Sequence, residues 1–136
     1  MTVVLCVDDR GGVMFHSRRQ SQDREVRAKL WTLLGDKTLL VSPYTAKQFS
    51  QEEQKRLQIS DECYAQAGAD AVCFAEDCLP DLTDPGIHCI ILFRWNRVYP
   101  ADRSFDLAQL KNWKCTKNEE FAGYSHEKIT MEVYER

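Results

Sequence analysis

The 136-residue chain lacks most of the features that name a protein at sight. No apolar run approaches the roughly 18–20 residues that a membrane-spanning helix needs. The opening stretch, Met1-Thr2-Val3-Val4-Leu5-Cys6, carries no basic segment and soon meets Asp8, Asp9 and Arg10. That is not the pattern of a secretory leader, so the cytoplasm is the expected location. There is no basic excess either: 18 Lys and Arg against 21 Asp and Glu leave a net charge of −3. This argues against a dedicated nucleic-acid binder while leaving room for a local basic site. With 6 glycines, 4 prolines and no repeat or low-complexity tract, nothing reads as a linker. One domain over 1–136 is expected, long enough for one core and too short for two.

Paired metal ligands are also absent. No two of the six cysteines, Cys6, Cys63, Cys73, Cys78, Cys89 and Cys115, show CxxC spacing. His16, His88 and His126 are remote from one another and from any close cysteine pair, so no metal is expected. Cys6, Cys73 and Cys89 sit in apolar stretches where a thiol acts as a small hydrophobe. Cys63 and Cys78 lie among polar residues, where a thiol could react. A domain of this size has no need of disulfides, and a reduced protein is expected.

What is present is a strand and helix pattern. Thr2–Val7 is a continuous β-branched run closed by Asp8-Asp9-Arg10-Gly11-Gly12, as in a strand buried on both faces. Ser21 can cap a helix in which Val26, Leu30, Leu33 and Leu34 form an apolar stripe and which Gly35 ends. Residues 38–41 read as a second buried strand. Ser42-Pro43 reads as the start of a short helix through Phe49, and Ser50 with Glu53 as a capping box. Leu57–Ile59 and residues 71–74 are short strand candidates, with a helix expected over 61–68 and a turn over 81–86. Residues 89–95 form the most apolar strand. Residues 113–120 and 128–135 suggest a hairpin around Ala122-Gly123-Tyr124, with Ile129, Met131 and Val133 inward and Lys128, Thr130 and Glu132 wet. His126, beside Ser125 in that hairpin, is expected to be exposed.

Charge is unevenly placed. Residues 10–29 carry six basic side chains against Asp23 and Glu25, whereas residues 61–84 carry seven acidic and no basic ones. The plain reading is two solvated faces, or Arg18 and Arg19 paired with the acidic segment. The sharper one is an anion site in the polar loop His16-Ser17-Arg18-Arg19-Gln20-Ser21-Gln22-Asp23, where arginine forks meet a helix N-terminus.

Two stretches in their order carry a resemblance. The first is Thr2–Val7, the loop Asp8-Asp9-Arg10-Gly11-Gly12-Val13-Met14, the helix to Gly35-Asp36-Lys37, residues 38–41 and Ser42-Pro43-Tyr44-Thr45. The second is Asp102-Arg103-Ser104-Phe105, Asn112-Trp113, Phe121 and residues 129–136. Together they are similar to the first strand, active-site loop, first helix, second strand, cofactor-contacting turn and closing hairpin of the dihydrofolate reductase-like family. The resemblance implies that Asp23, with Glu25 next, stands where the family places the acid that protonates or orients the pterin. It implies that Thr45 matches the threonine abutting the cofactor. Ser42-Pro43 departs from the family's Gly-Arg or Gly-Lys, and Phe93 stands about where a threonine often helps bind pterin. The glycine pair that lets backbone approach the dinucleotide is missing around residues 81–88, since Gly-Gly occurs only at Gly11-Gly12. The chain therefore resembles a shortened relative without the Gly-Gly cofactor strand, and no cofactor is expected. The Arg18-Arg19-Gln20-Ser21 run is also similar to one in short proteins that carry a ribonuclease Z label. That two-metal chemistry needs an HxHxDH cluster, which the three histidines cannot form.

The expectation is an α/β domain of dihydrofolate reductase-like, three-layer architecture with a mixed central sheet and a C-terminal antiparallel hairpin. It would bind an anionic or nucleotide- or pterin-like small molecule between the 16–23 loop, the helix start and the Thr45 turn, without NADPH-dependent reduction. Arg18, Arg19 and Gln20 would hold the anion and Asp23 would orient a polar ring. Two alternatives stand beside it. One is a small reductase or phosphodiester hydrolase with Asp23 or His16 in acid–base roles. The other is a ligand-free interaction module, with a homodimer formed through the basic and acidic segments.

Overall fold

The β-branched run Thr2–Val7 becomes β1, the middle strand of the molecule, with Val3, Val4, Leu5 and Val7 all at 0 % exposure. The computed structural model describes residues 1–62, 64 and 67–136. In chain order the further strands are β2 (Gly12–Phe15), β3 (Arg18–Arg19), β4 (Leu39–Val41), β5 (Leu57–Ile59), β6 (Val72–Phe74) and β7 (Cys89–Arg94). They are followed by β8 (Arg103–Ser104), β9 (Lys114–Phe121) and β10 (Ile129–Glu135). Seven of them form one sheet in the order β5-β4-β6-β1-β7-β10-β9, and β3-β2-β8 form a small second sheet. β1 is hydrogen-bonded to parallel strands on both edges, β6 and β7. Its two faces meet two separate apolar clusters, which explains a run without polar alternation. β10 runs antiparallel to both β7 and β9, so the sheet is mixed and ends in the expected C-terminal hairpin.

One face of the sheet is covered by α1 (Arg24–Leu34), whose Val26, Leu30 and Leu34 pack on Val4, Ile91 and Phe93. The helix starts later than expected. Asp23, not Ser21, is the N-cap, its Oδ1 accepting the Glu25 amide at 2.8 Å. Gly35 closes it with φ +59°. Leu33 stays 42 % exposed, because the last turn overhangs the starting ends of β1 and β6, beside Thr2 and Val72. Ser42 caps α2 (Pro43–Ala46) as read, the helix stopping short of Phe49. Ser50 and Glu53 form the reciprocal capping box at 2.9 and 3.2 Å. The opposite face carries no α-helix among the described residues. It is closed by Val13 and Met14 of the small sheet together with Leu82, Ile87, Phe105 and Leu110. The three layers are thus helix, sheet, and a patchwork of small sheet and loops.

Two readings need correction. Asp61, Glu62 and Tyr64 are in turns and Ala67 and Gly68 in irregular backbone, so the described part of 61–68 is not helical; the rest of that stretch lies outside the described residues. Thr130 is 8 % exposed rather than wet, because β10 lies inside the sheet and Thr130 accepts a hydrogen bond from Asn96 Nδ2 at 3.0 Å. The strand expected over residues 71–74 is present as β6, between β4 and β1. The segment after β6, Ala75-Glu76-Asp77-Cys78, has no glycine pair, and the return to β7 passes through turns.

Cys6, Cys73, Cys89 and Cys115 are free thiols, and burial pushes the Cys73 thiol up to about 11. Cys78 is disulfide-bonded, which corrects the all-thiol expectation, since sequence spacing does not show which loops meet. Cys63 lies outside the described residues. Among the described residues no helix is long and apolar enough to cross a membrane.

Candidate functional site

The segment read as an open polar loop is a hairpin. β2 and β3 pair Met14 with Arg19 and Phe15 with Arg18, leaving His16 and Ser17 as a two-residue turn at φ +51° and +61°. Two successive residues with positive φ match the twist of a tight hairpin. The His16 ring stacks on Phe15 at 3.8 Å between centroids, and its amide donates to Asp102 Oδ2 at 3.0 Å. Beside this hairpin opens a cleft of about 470 Å³ lined by Phe15, His16, Arg18, Arg19, Gln20, Tyr99 and Pro100. Four of the expected site residues, His16, Arg18, Arg19 and Gln20, thus share one cleft.

Asp8, the first residue after β1, fastens the cleft to the sheet. Its carboxylate is 1 % exposed and accepts the amides of Arg10 and Gly12 at 2.8 Å, and Gln20 Nε2 and the Tyr99 amide at 3.1 Å. Burial alone would raise its pKa, but the amides of Tyr99, Gly12 and Arg10 outweigh it and hold the carboxyl below its ordinary value. The cleft therefore lies beyond the carboxyl ends of β1 and β7. Gln20 bridges Asp8 and the Pro100 carbonyl through Nε2, while its buried Oε1 has no hydrogen-bond partner among the described residues.

The two arginines differ. Arg19 is turned inward onto Glu76 and lies 4.5 Å over the Tyr44 ring. Arg18 is exposed and makes no ion pair among the described residues. Within the cleft it is the cation free to meet an anion. Thr45 is fully buried beside Ser42, whose hydroxyl donates to Asp77 Oδ1 at 2.7 Å. It stands outside the cleft, next to a crevice of about 20 Å³ at the ends of β4 and β6.

Asp23 does not line the cleft. It is 3 % exposed and accepts five hydrogen bonds, from the amides of Glu25, Tyr124 and Ser125, the Ser125 hydroxyl and His126 Nδ1. Burial again pushes upward, and the Tyr124 amide, His126 and the other donors override it, holding the carboxyl far below the usual range. His126, expected in solvent, is 4 % exposed. Its ring stacks on Trp95 at 4.4 Å and 20°, and its Nε2 lies 2.9 Å from Ser21 Oγ and 3.1 Å from the Tyr99 hydroxyl. Sequence reasoning missed Ser21, Tyr99, His126 and Asp8 in these roles. His126 and Asp23 are 103 positions apart, and only the Gly123-Tyr124-Ser125 turn, folding over the α1 N-terminus, brings them together. Among the described residues no group of His, Cys, Asp and Glu could hold a metal ion.

No family model and no curated protein matches the sequence. Among solved structures the chain is similar to the dihydrofolate reductase from Enterococcus faecalis complexed with NADP(H) and RAB-propyl. The likeness has a TM-score of 0.64 at 10 % sequence identity, over 99 % of this chain and 95 % of that one. At this identity the likeness concerns the backbone, and the protein has the dihydrofolate reductase fold.

Proposed function

We propose that the protein binds a small anionic molecule with an aromatic ring, of nucleotide or pterin type, in the cleft beside the β2–β3 hairpin, without NADPH-dependent reduction. The observation that carries this is Arg18, without an ion pair among the described residues, beside the stacked Phe15–His16 pair and Tyr99 in a cleft of about 470 Å³. A guanidinium supplies forked donors to an anion, and the aromatic side chains give a ring something to lie against. The place is also right, since parallel sheets take ligands beyond the carboxyl ends of their strands. The solved reductase is described as complexed with NADP(H). In this chain Asp23 already accepts five donors, which supports binding rather than reduction.

The test is calorimetric titration with mononucleotides and pterins, alongside the absorbance of NADPH in mixtures of the two. Binding by wild type that weakens about tenfold in Arg18→Ala, the loss of roughly one charge-assisted contact, is the expected result. No heat with any of these compounds, or equal affinity in Arg18→Ala, overturns the reading.

A further inference from the structure

We infer that Ser21, His126 and Asp23 form a nucleophilic serine triad that takes the acyl group from small carboxylic esters. The proposal goes beyond ligand binding and does not require the cleft to hold an anion. Three features carry it. Ser21 Oγ lies 2.9 Å from His126 Nε2, and His126 Nδ1 lies 2.9 Å from Asp23 Oδ2. Both hydrogen bonds that define nucleophile, base and orienting acid are therefore made, and such a constellation is recognised by geometry rather than by chain order. The imidazole cannot turn away, because Trp95 stacks on its face and Asp23 is fixed by four further donors. Ser21 keeps partial exposure, and it follows Gln20, which lines the cleft together with Tyr99.

With Nδ1–H donating to Asp23, Nε2 presents its lone pair to Ser21. As Ser21 Oγ attacks the ester carbonyl carbon, its proton passes to Nε2 and the carbonyl electrons move to oxygen. When the carbonyl re-forms, the C–O bond to the leaving alcohol breaks and that oxygen takes the proton from Nε2. Water then attacks the acyl-serine by the same route, giving the acid and restoring the Ser21 hydroxyl. Tyr99, whose hydroxyl lies 3.1 Å from the same nitrogen, is the neighbouring O–H donor for the developing oxyanion. Asp23 acts as a positioning residue, holding the tautomer without touching the ester.

The test uses the full chain and a fluorophosphonate, in which serine oxygen displaces fluoride from phosphorus and the proton again passes to Nε2. Intact-mass measurement and peptide mapping should show one phosphonyl group, on Ser21. Ser21→Ala should take none, while Ser50→Ala, in the capping box, labels as wild type. His126→Gln, checked for folding by circular dichroism, should label at least about 100-fold more slowly, the range of a lost general base. With p-nitrophenyl acetate the wild type should release a burst of about one equivalent of p-nitrophenolate per chain. No phosphonyl group on wild type, a group on another residue, or equal labelling of Ser21→Ala overturns the assignment, even if His126→Gln fails to fold.

Discussion

Arg19 and Glu76 meet through two parallel contacts, Nε to Oε2 at 2.8 Å and Nη2 to Oε1 at 3.1 Å, joining the most basic segment of the chain to the most acidic. Glu76 is 7 % exposed, and Gln48 donates to the same carboxylate at 2.9 Å. Removing one partner of such a pair leaves a charge short of water, whereas removing both costs less. Glu76→Ala should therefore lower unfolding free energy in urea by roughly 2–4 kcal/mol, and Arg19→Met with Glu76→Leu by less. A loss below about 0.5 kcal/mol in the single variant would show that the pair is merely a surface contact. A homodimer held by the same two segments would have to form around this internal pair.

Asp23 and Asp8 give the fold a direction of pH sensitivity. Both carboxyls titrate lower in the folded chain than their ordinary value, because backbone amides aim at the ionised form. Stability from a depressed carboxyl is fully present above the unfolded value, near 4, and is lost as pH falls toward the folded one. Melting temperature should accordingly hold from neutrality to about pH 5 and drop steeply below about pH 4. Asp23→Asn should melt lower at neutral pH, since its amide nitrogen cannot accept, and should show a shallower acid drop. Parallel acid profiles for wild type and variant would contradict this.

The legibility of each feature in the sequence depends on the range over which its interactions act. β1, β4, β5 and the capping of α2 were legible because apolar continuity and cap chemistry are local. The Arg19–Glu76 pair was legible as Arg18 and Arg19 pairing with the acidic segment, but not which arginine or which carboxylate, since charge counts carry no distance. The β2–β3 hairpin was hidden because its turn residues, His16 and Ser17, are not the glycine or asparagine that signal positive φ. His126 was the clearest miss. Its burial depends on Trp95 and Asp23 arriving from distant elements, and a histidine between serine and glutamate gives no sign of that.

Gly123 makes the close seat of that turn testable. A Cβ there would lie 2.6 Å from the His126 carbonyl oxygen, 2.7 Å from Asp23 Oδ2 and 2.9 Å from Ile129 Cδ1. The first neighbour is backbone and the second is fixed by its donors, so neither can yield easily. Gly123→Ala should cost about 1–3 kcal/mol, as other overpacked sites do. The fluorescence of Trp95 should change with it as the stacked imidazole shifts. A variant with wild-type melting and spectrum would mean that the turn is free to move.

The hairpin tip should respond in the opposite sense. His16 and Ser17 hold φ of +51° and +61°, a region that costs a residue with a Cβ roughly 1–2 kcal/mol. Glycine at position 17 removes that strain and adds about 0.5–1 kcal/mol of backbone entropy to the unfolded chain. The balance predicts that Ser17→Gly raises stability by about 0.5–1 kcal/mol, read as a shift of the urea midpoint at constant slope. The Phe15–His16 stack that borders the cleft sits on the same turn, so the comparison also reaches the site. If the strained tip positions that stack for a ligand, Ser17→Gly will gain stability and lose affinity together. If affinity is unchanged while stability rises, the strain serves only to close the hairpin.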